Sequence, residues 1–321
     1  MANMNAAVVT SFDRPPRYQQ FEIPQPTSGE LLVDVLAVGL HPRVRTGAAG
    51  AHYTSAGRLP MIPGIDGVAR RPDGKRIYFV ADDHVLGTMA DKALVDERRL
   101  IELPDDVDAA TVAATMNPAM SAWVALRRRV PIESGQSVLV LGATGNAGTM
   151  AVKVAKLLGA GLVVGAGRNL ERLNALREVD ADRIVQLTDD ADATGKALAD
   201  AAADVDIVID YLWGKPALQT IMALLRARSD RSRQLNWIQI GAIAGPTIEL
   251  PSVALRSANL RIQGNGQGAV STQGYLAELP ALLDQINTGK IALRAIPRAL
   301  ADVEQIWAAT DRPGERTVLV P

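Results

Sequence analysis

Cysteine is absent from this 321-residue chain, which excludes disulfides, thiol nucleophiles and thiolate zinc sites. Imidazoles are nearly absent too, being confined to His41, His52 and His84. Aromatic residues make up only 4% of the chain, and no basic, aromatic stripe suited to nucleic acid is visible. Neither sign of charge is in excess. A formal net charge of −1 argues against an obligatory nucleic-acid or anionic-membrane partner. No apolar run approaches the ~18 residues that a membrane span needs. The opening "MANMNAAVVTSFDRPP" has no basic stretch followed by an apolar core, so no secretory leader is expected. These absences make a cytoplasmic enzyme or binding protein the expectation.

What is present falls into two textures. The first third carries short β segments at residues 6–9, 30–38, 76–80 and 92–95, separated by "RPP", "IPQPTSGE" and "MIPGIDG". That pattern predicts a mostly antiparallel β unit. From residue 137 onward apolar strands alternate with helices: "SVLVLG", "LVVGAG", "RIVQL", "DIVIDY", "WIQIG" and "RIQG", with "LERLNALREV" among the helices. Such alternation predicts a doubly wound parallel sheet. The tail from 271 reads as mixed: "YLAELPALLDQI" and "LADVEQIWAA" helical, "ALRAIP" and "RTVLVP" extended. The charge-dense "RARSDRSR" reads as a solvated loop, and Trp123 and Trp213 as structural residues.

The stretch "VLVLGATGNAGTMAVKVAKLLGA" runs a strand into a glycine-rich turn and then an amphipathic helix. Gly145 is read as permitting the sharp turn and Gly148 as letting the helix pack close to the sheet. Gly142, Ala143, Thr144, Gly145, Asn146, Ala147 and Gly148 then present amides and a helix dipole to a pyrophosphate. A bare glycine bend is the alternative. The motif opens a strand–helix series, which favours a dinucleotide. Past the next strand stand Gly167, Arg168 and Asn169, with no carboxylate for a ribose 2′-hydroxyl. A guanidinium suits a 2′-phosphate, so NADPH is preferred over NADH unless Arg168 is a plain surface arginine.

At this point the chain resembles the medium-chain dehydrogenase/reductase superfamily, in its zinc-free quinone oxidoreductase branch. The resemblance rests on "VGLHP", "LPMIPGIDGVA", "GTMADKALV", "NPAMSAWVAL", "GATGNAG", "DIVIDYLWG", "IQIGAIAG", "LRSANLRIQGNG" and "ERTVLV", in that order. It implies an α/β fold: a Rossmann domain over 122–265 and a discontinuous, mostly β, GroES-like catalytic domain over 1–121 and 266–321. Substrate would enter between the domains. It also implies a homodimer through the last Rossmann strand, 260–263. The positions matching the superfamily's catalytic zinc ligands are His41, Ile65 and Asn117, and one imidazole, one hydrocarbon and one amide do not make a zinc site. Asp66 is read as holding local backbone.

Without a metal or a flavin, hydride would pass from NADPH to a small electrophile activated by conjugation, a quinone or an α,β-unsaturated carbonyl compound, with protein hydrogen bonds stabilising the oxyanion. The resemblance points to Tyr53 as the donor, with pocket lining as the alternative. Asn117 would anchor substrate or nicotinamide, or else cap a helix beginning at Pro118. His41 and His52 are assigned to the substrate pocket. Gly241, Ala242, Ile243, Gly264 and Asn265 are expected to flank the nicotinamide, Asn265 through its side chain, and Tyr211 to stack on the cofactor or pack. An enoyl-thioester reductase is the rival enzyme. An NADPH-sensing or RNA-binding protein without turnover is the rival of another class.

Overall fold

The computed structural model describes residues 2–55, 57–81 and 85–321, so His84 lies outside the described residues. Two compact units divide the chain: Met1–Asn117 with Leu279–Pro321, and Pro118–Glu278. Residues from 266 to Glu278, which the sequence reading assigns to the β unit, belong here to the second unit. There the Glu278 carboxylate pairs with Arg127 and Arg128 and accepts from the Trp123 indole at 3.2 Å.

The first unit begins with β1 (Asn3–Val8) paired antiparallel to β2 (Arg17–Glu22). There follow β3 (Glu30–Gly39), α1 (Pro42–Ala48), β4 (Asp66–Arg70), β5 (Arg76–Val80), β6 (Lys92–Asp96) and β7 (Leu100–Glu102). β-branched and aromatic residues dominate the buried positions, including Val33, Val35, Ile77, Tyr78 and Phe79. β4 departs from expectation, because "GIDG" reads as a turn. Gly67 makes the strand possible: a Cβ there would lie 3.0 Å from the Ala37 carbonyl oxygen of β3.

α2 (Ala109–Val124) contains Pro118 rather than starting at it. Proline lacks the amide for an intrahelical bond, so it weakens a helix interior. Burial of Val112, Ala113, Ala114, Met116, Ala119 and Ala122 along both turns around it offsets that loss. Asn117 is therefore a mid-helix residue and not a cap.

The second unit continues with β8 (Ser137–Leu141), α3 (Asn146–Leu157), β9 (Leu162–Gly167), α4 (Leu170–Val179), β10 (Arg183–Gln186), α5 (Ala191–Ala202), β11 (Ile207–Asp210), α6 (Gly214–Ala227), β12 (Leu235–Gln239), α7 (Ser252–Arg256), β13 (Leu260–Gly264) and α8 (Thr272–Leu276). The strands form one sheet in the order β10-β9-β8-β11-β12-β13, every pair parallel. The order reverses at β8, which makes the end of that strand the topological switch point. Helices packed on a parallel sheet explain why "SVLVL" is apolar without alternation. Arg228, in the stretch read as a solvated loop, is only 4% exposed. Its guanidinium donates to the carbonyls of Ala203 and Val205 at 2.9 Å, satisfying acceptors that the end of α5 leaves open.

The return segment adds α9 (Leu279–Asn287), β14 (Arg294–Ala299), α10 (Val303–Ile306) and β15 (Glu315–Val320). These strands complete a seven-stranded sheet ordered β14-β15-β3-β4-β5-β7, with β6 also on β3. The helix expected over "YLAELPALLDQI" is split into α8 and α9, and that over "LADVEQIWAA" is a 3-10 turn leading into α10. Among the described residues no helix is long and apolar enough to cross a membrane.

Candidate functional site

The chain leaves β8 through Gly142, whose φ of +85° is the left-handed conformation that the turn requires. The amides of Gly142 and Ala143 both donate to the Ala166 carbonyl at 2.9 Å, which fastens the turn to the end of β9. Gly148 is needed for contact. A Cβ there would sit 2.1 Å from the Gly142 carbonyl oxygen and 2.7 Å from the Ala143 Cα. The role given to Gly145 is corrected. Its φ is −87°, and a Cβ added to it would meet nothing of the protein nearer than 3.6 Å. The sharp bend belongs to Gly142, and the fold itself does not demand a glycine at 145. Gly145 caps α3 without any side-chain bond, so no cap side chain covers the start of this helix.

At the end of β9, a Cβ on Gly167 would lie 2.7 Å from Thr144 Cγ2, so this glycine admits the Thr144 side chain. Arg168 is exposed, and its guanidinium has no hydrogen bond or ion pair among the described residues. Asn169 caps α4, its carboxamide oxygen accepting from Arg172 N at 2.9 Å. Arg172 is a residue that the sequence reading missed. One helical turn beyond Arg168, it donates from Nη1 to the Thr144 carbonyl at 3.3 Å and brings a second guanidinium to the glycine turn. An Asn cap followed by an arginine in the first turn is the signal that would have found it.

The turns after β11, β12 and β13 converge on the same edge of the sheet. Asp210 is fully buried, and burial pushes its carboxyl above the usual range against three donors, Leu212 N, Trp213 N and Trp237 Nε1, at 2.8–3.0 Å. Trp213 has φ +51° and ψ −157°, a conformation almost confined to glycine. Gly241 permits close passage, since a Cβ would lie 2.7 Å from the Tyr211 carbonyl oxygen. Burial also raises the pKa of the Tyr211 phenol, which lies 2.8 Å from Ser121 Oγ. Asn265 is buried, and its carboxamide nitrogen donates to the Ser121 carbonyl at 2.9 Å. Both side chains are thus engaged with Ser121, a residue that no local spacing singles out. Ala242 lies on the turn after β12, Gly264 ends β13, and Ile243 is strongly exposed.

In the first unit, His41 is buried with Nε2 3.1 Å from Asp66 Oδ1, while Tyr78 donates its hydroxyl to Asp66 Oδ2 at 2.8 Å. Burial pushes the His41 imidazole below its ordinary value, outweighing the raising effect of Asp66. His41 Nδ1 has no hydrogen-bond partner among the described residues. Asp66 therefore holds side chains, and its backbone carbonyl accepts from Thr88 Oγ1 at 3.0 Å. Tyr53 is 72% exposed, its ring 4.4 Å from that of His52, whose Nδ1 lies 2.7 Å from Thr54 Oγ1. Asn117 stands inside α2. No group of three His, Cys, Asp or Glu side chains able to hold a metal occurs among the described residues. His41 Nε2 faces Asp66, Ile65 has no donor atom, and Asn117 offers a neutral amide. This set does not fit zinc.

A family model described as zinc-binding dehydrogenase matches residues 147–274, a span that contains none of His41, Ile65 and Asn117. The chain is 30% identical to a probable NADPH-dependent quinone reductase of Emericella nidulans, over 99% of this chain and 100% of that protein. It is 24% identical to a mitochondrial enoyl-[acyl-carrier-protein] reductase of Caenorhabditis elegans, over 86% of this chain and 82% of the relative. Among solved structures, the quinone oxidoreductase of Thermus thermophilus, also solved in complex with NADPH, superposes with a TM-score of 0.80 at 25% identity. That match covers 99% of this chain and 100% of the other.

Proposed function

The chain belongs to the quinone oxidoreductase-like branch of the medium-chain dehydrogenase/reductase superfamily, and from that membership we propose that it reduces quinones or α,β-unsaturated carbonyl compounds with NADPH. Gly145 carries the reading. The fold has room for a side chain there, so its absence serves what lies above the turn, and a pyrophosphate needs that close approach of backbone. The unpaired guanidinium of Arg168 supports a 2′-phosphate, with Arg172 beside it. Gly241, Ala242, Ile243, Gly264 and Asn265 flank the nicotinamide through backbone groups.

Bound NADPH supplies a hydride. The acceptor takes it at a quinone oxygen or an enone β-carbon and takes one proton, giving a hydroquinone or a saturated carbonyl compound and NADP+. The exposed Tyr53 hydroxyl donates to the developing oxyanion, Asn117 anchors the acceptor, and His41 and His52 line its pocket. The donor chemistry at His41, Ile65 and Asn117 supports a reaction that uses no zinc. β13 is an edge strand, and a second copy pairing there would give a homodimer. The Caenorhabditis relative supports a second reading, reduction of a 2-enoyl thioester, in which Tyr53 has the same part.

Titration with NADPH and NADH, followed by assay against quinones, enones and a 2-enoyl thioester, tests both readings. Preference for NADPH that falls about tenfold in Arg168→Ala is expected, with turnover on a quinone or enone that drops in Tyr53→Phe. A chain that binds neither nucleotide overturns the proposal, and turnover of the thioester alone selects the second reading.

A further inference from the structure

We propose that Ser121 is a positioning residue for the nicotinamide end of the nucleotide site, acting through Tyr211 without touching the cofactor. The inference rests on the reading of Pro118–Glu278 as the NADPH-binding unit.

Ser121 has one hydroxyl proton to give. Its Oγ lies 3.0 Å from the Pro118 carbonyl, which can only accept, so the bond to the phenol at 2.8 Å runs the other way, from Tyr211 O–H to Ser121 Oγ. A phenol is protonated at neutral pH and able to donate, and burial raises its pKa further. From the same residue, the backbone carbonyl accepts from the Asn265 carboxamide at 2.9 Å. Position 121 of α2 thus ties down both turns, that after β11 through the serine hydroxyl and that after β13 through the backbone carbonyl.

The tie extends to the other turns. The Asn265 amide donates to the Gln239 carbonyl at 2.8 Å, and Gln239 Nε2 donates to the Gly241 carbonyl at 3.0 Å. Tyr211 is itself wedged, its carbonyl oxygen 2.7 Å from where a Gly241 Cβ would be and its Cβ 3.3 Å from where one on Gly142 would be. The glycine turn and the turns after β11, β12 and β13 are therefore linked through Tyr211 and Ser121. Ligands of a doubly wound sheet lie at these strand ends. The strained backbone of Trp213, next but one to Tyr211, independently marks the β11 turn as one held in a form that the chain does not adopt by preference.

The test compares Ser121→Ala, Ser121→Thr, Tyr211→Phe and the Ser121→Ala/Tyr211→Phe double variant with the parent, by NADPH fluorescence titration, thermal melting and steady-state reduction of 1,4-benzoquinone. Ser121→Ala and Tyr211→Phe each raise the NADPH Kd about tenfold, a loss in the range of one buried hydrogen bond. Ser121→Thr recovers most of it, and the double variant binds no worse than either single one, because both remove the same bond. If Ser121→Ala does not fold, Tyr211→Phe and Ser121→Thr still give the comparison. A melting temperature that falls while Kd and KM stay at parental values would make the bond mere packing and overturn the proposal. Loss in Ser121→Thr equal to that in Ser121→Ala would overturn it too. A parent that fails to bind NADPH overturns the nucleotide reading and this inference with it. A parent that binds while all variants match it overturns this inference alone.

Discussion

Asp66 in the first unit and Asp210 in the second are both almost completely buried, and the two are used differently. Asp210 serves backbone: two of its three donors are amides of the residues that follow it, so it shapes the turn in which it stands. Asp66 serves side chains distant in sequence, His41 and Tyr78, so it joins β4 to β5 and to the start of α1. In the second unit the turns at the strand ends are fixed by backbone form, which glycine and aspartate specify locally. The β unit makes its polar centre from side chains that only the folded sheet brings together.

The sharpest break of this comparison lies at the glycine turn. Gly148→Ala forces a methyl against the Gly142 carbonyl, and should both lower stability by about 3–5 kcal/mol and abolish NADPH binding. Gly145→Ala should leave the melting temperature unchanged and weaken NADPH by about tenfold. Equal loss of stability in both variants would erase the distinction between a glycine for packing and a glycine for ligand.

Next in size is a contrast of the two carboxylates in urea unfolding. Asp210→Ala strands three buried donors and should destabilise by about 3–5 kcal/mol; Asp66→Ala strands two side-chain groups and should lose about 2–3. The reverse ranking would refute the division of roles.

Acid separates the units further. His41 has a folded pKa lowered from 6.5, so the unfolded chain takes up its proton first, and stability falls as pH drops through 6.5 toward the folded value. Asp210 acts in the opposite sense. Its folded pKa is raised from 3.8, the unfolded chain releases its proton first, and stability is lost as pH rises from 3.8 toward the folded value. Melting curves between pH 5 and 8 should flatten in His41→Gln; an unchanged slope would show that His41 is not the source.

The smallest expected effect is at Arg172. Removing it in Arg172→Ala should weaken NADPH about threefold and NADH hardly at all, as isothermal titration would show. Equal weakening of both nucleotides would mean that it only braces Thr144.

The second unit was legible because its signals are local: "SVLVL", "LVVGAG" and "LERLNALREV" each name their own element. Even there, which glycine takes the positive φ is a matter of backbone path, and the bend moved from Gly145 to Gly142. Proline misled at 118, where burial of the surrounding helix prevails over the missing amide. Arginine misled at 228, whose donors meet carbonyls at the end of another helix. The bond between Ser121 and Tyr211 joins residues 90 apart, and nothing in either neighbourhood announces the other.

Ile243 projects from the turn after β12 with 81% of its surface exposed, in a chain that has no cysteine. Ile243→Cys would therefore create the molecule's sole thiol, and an exposed one ionises near the ordinary ~8.5 and reacts readily. A fluorophore attached there would report on the turn after β12 without labelling at any other cysteine. The same exposure that leaves this side chain without a packing role makes it a ready point of observation on the molecule.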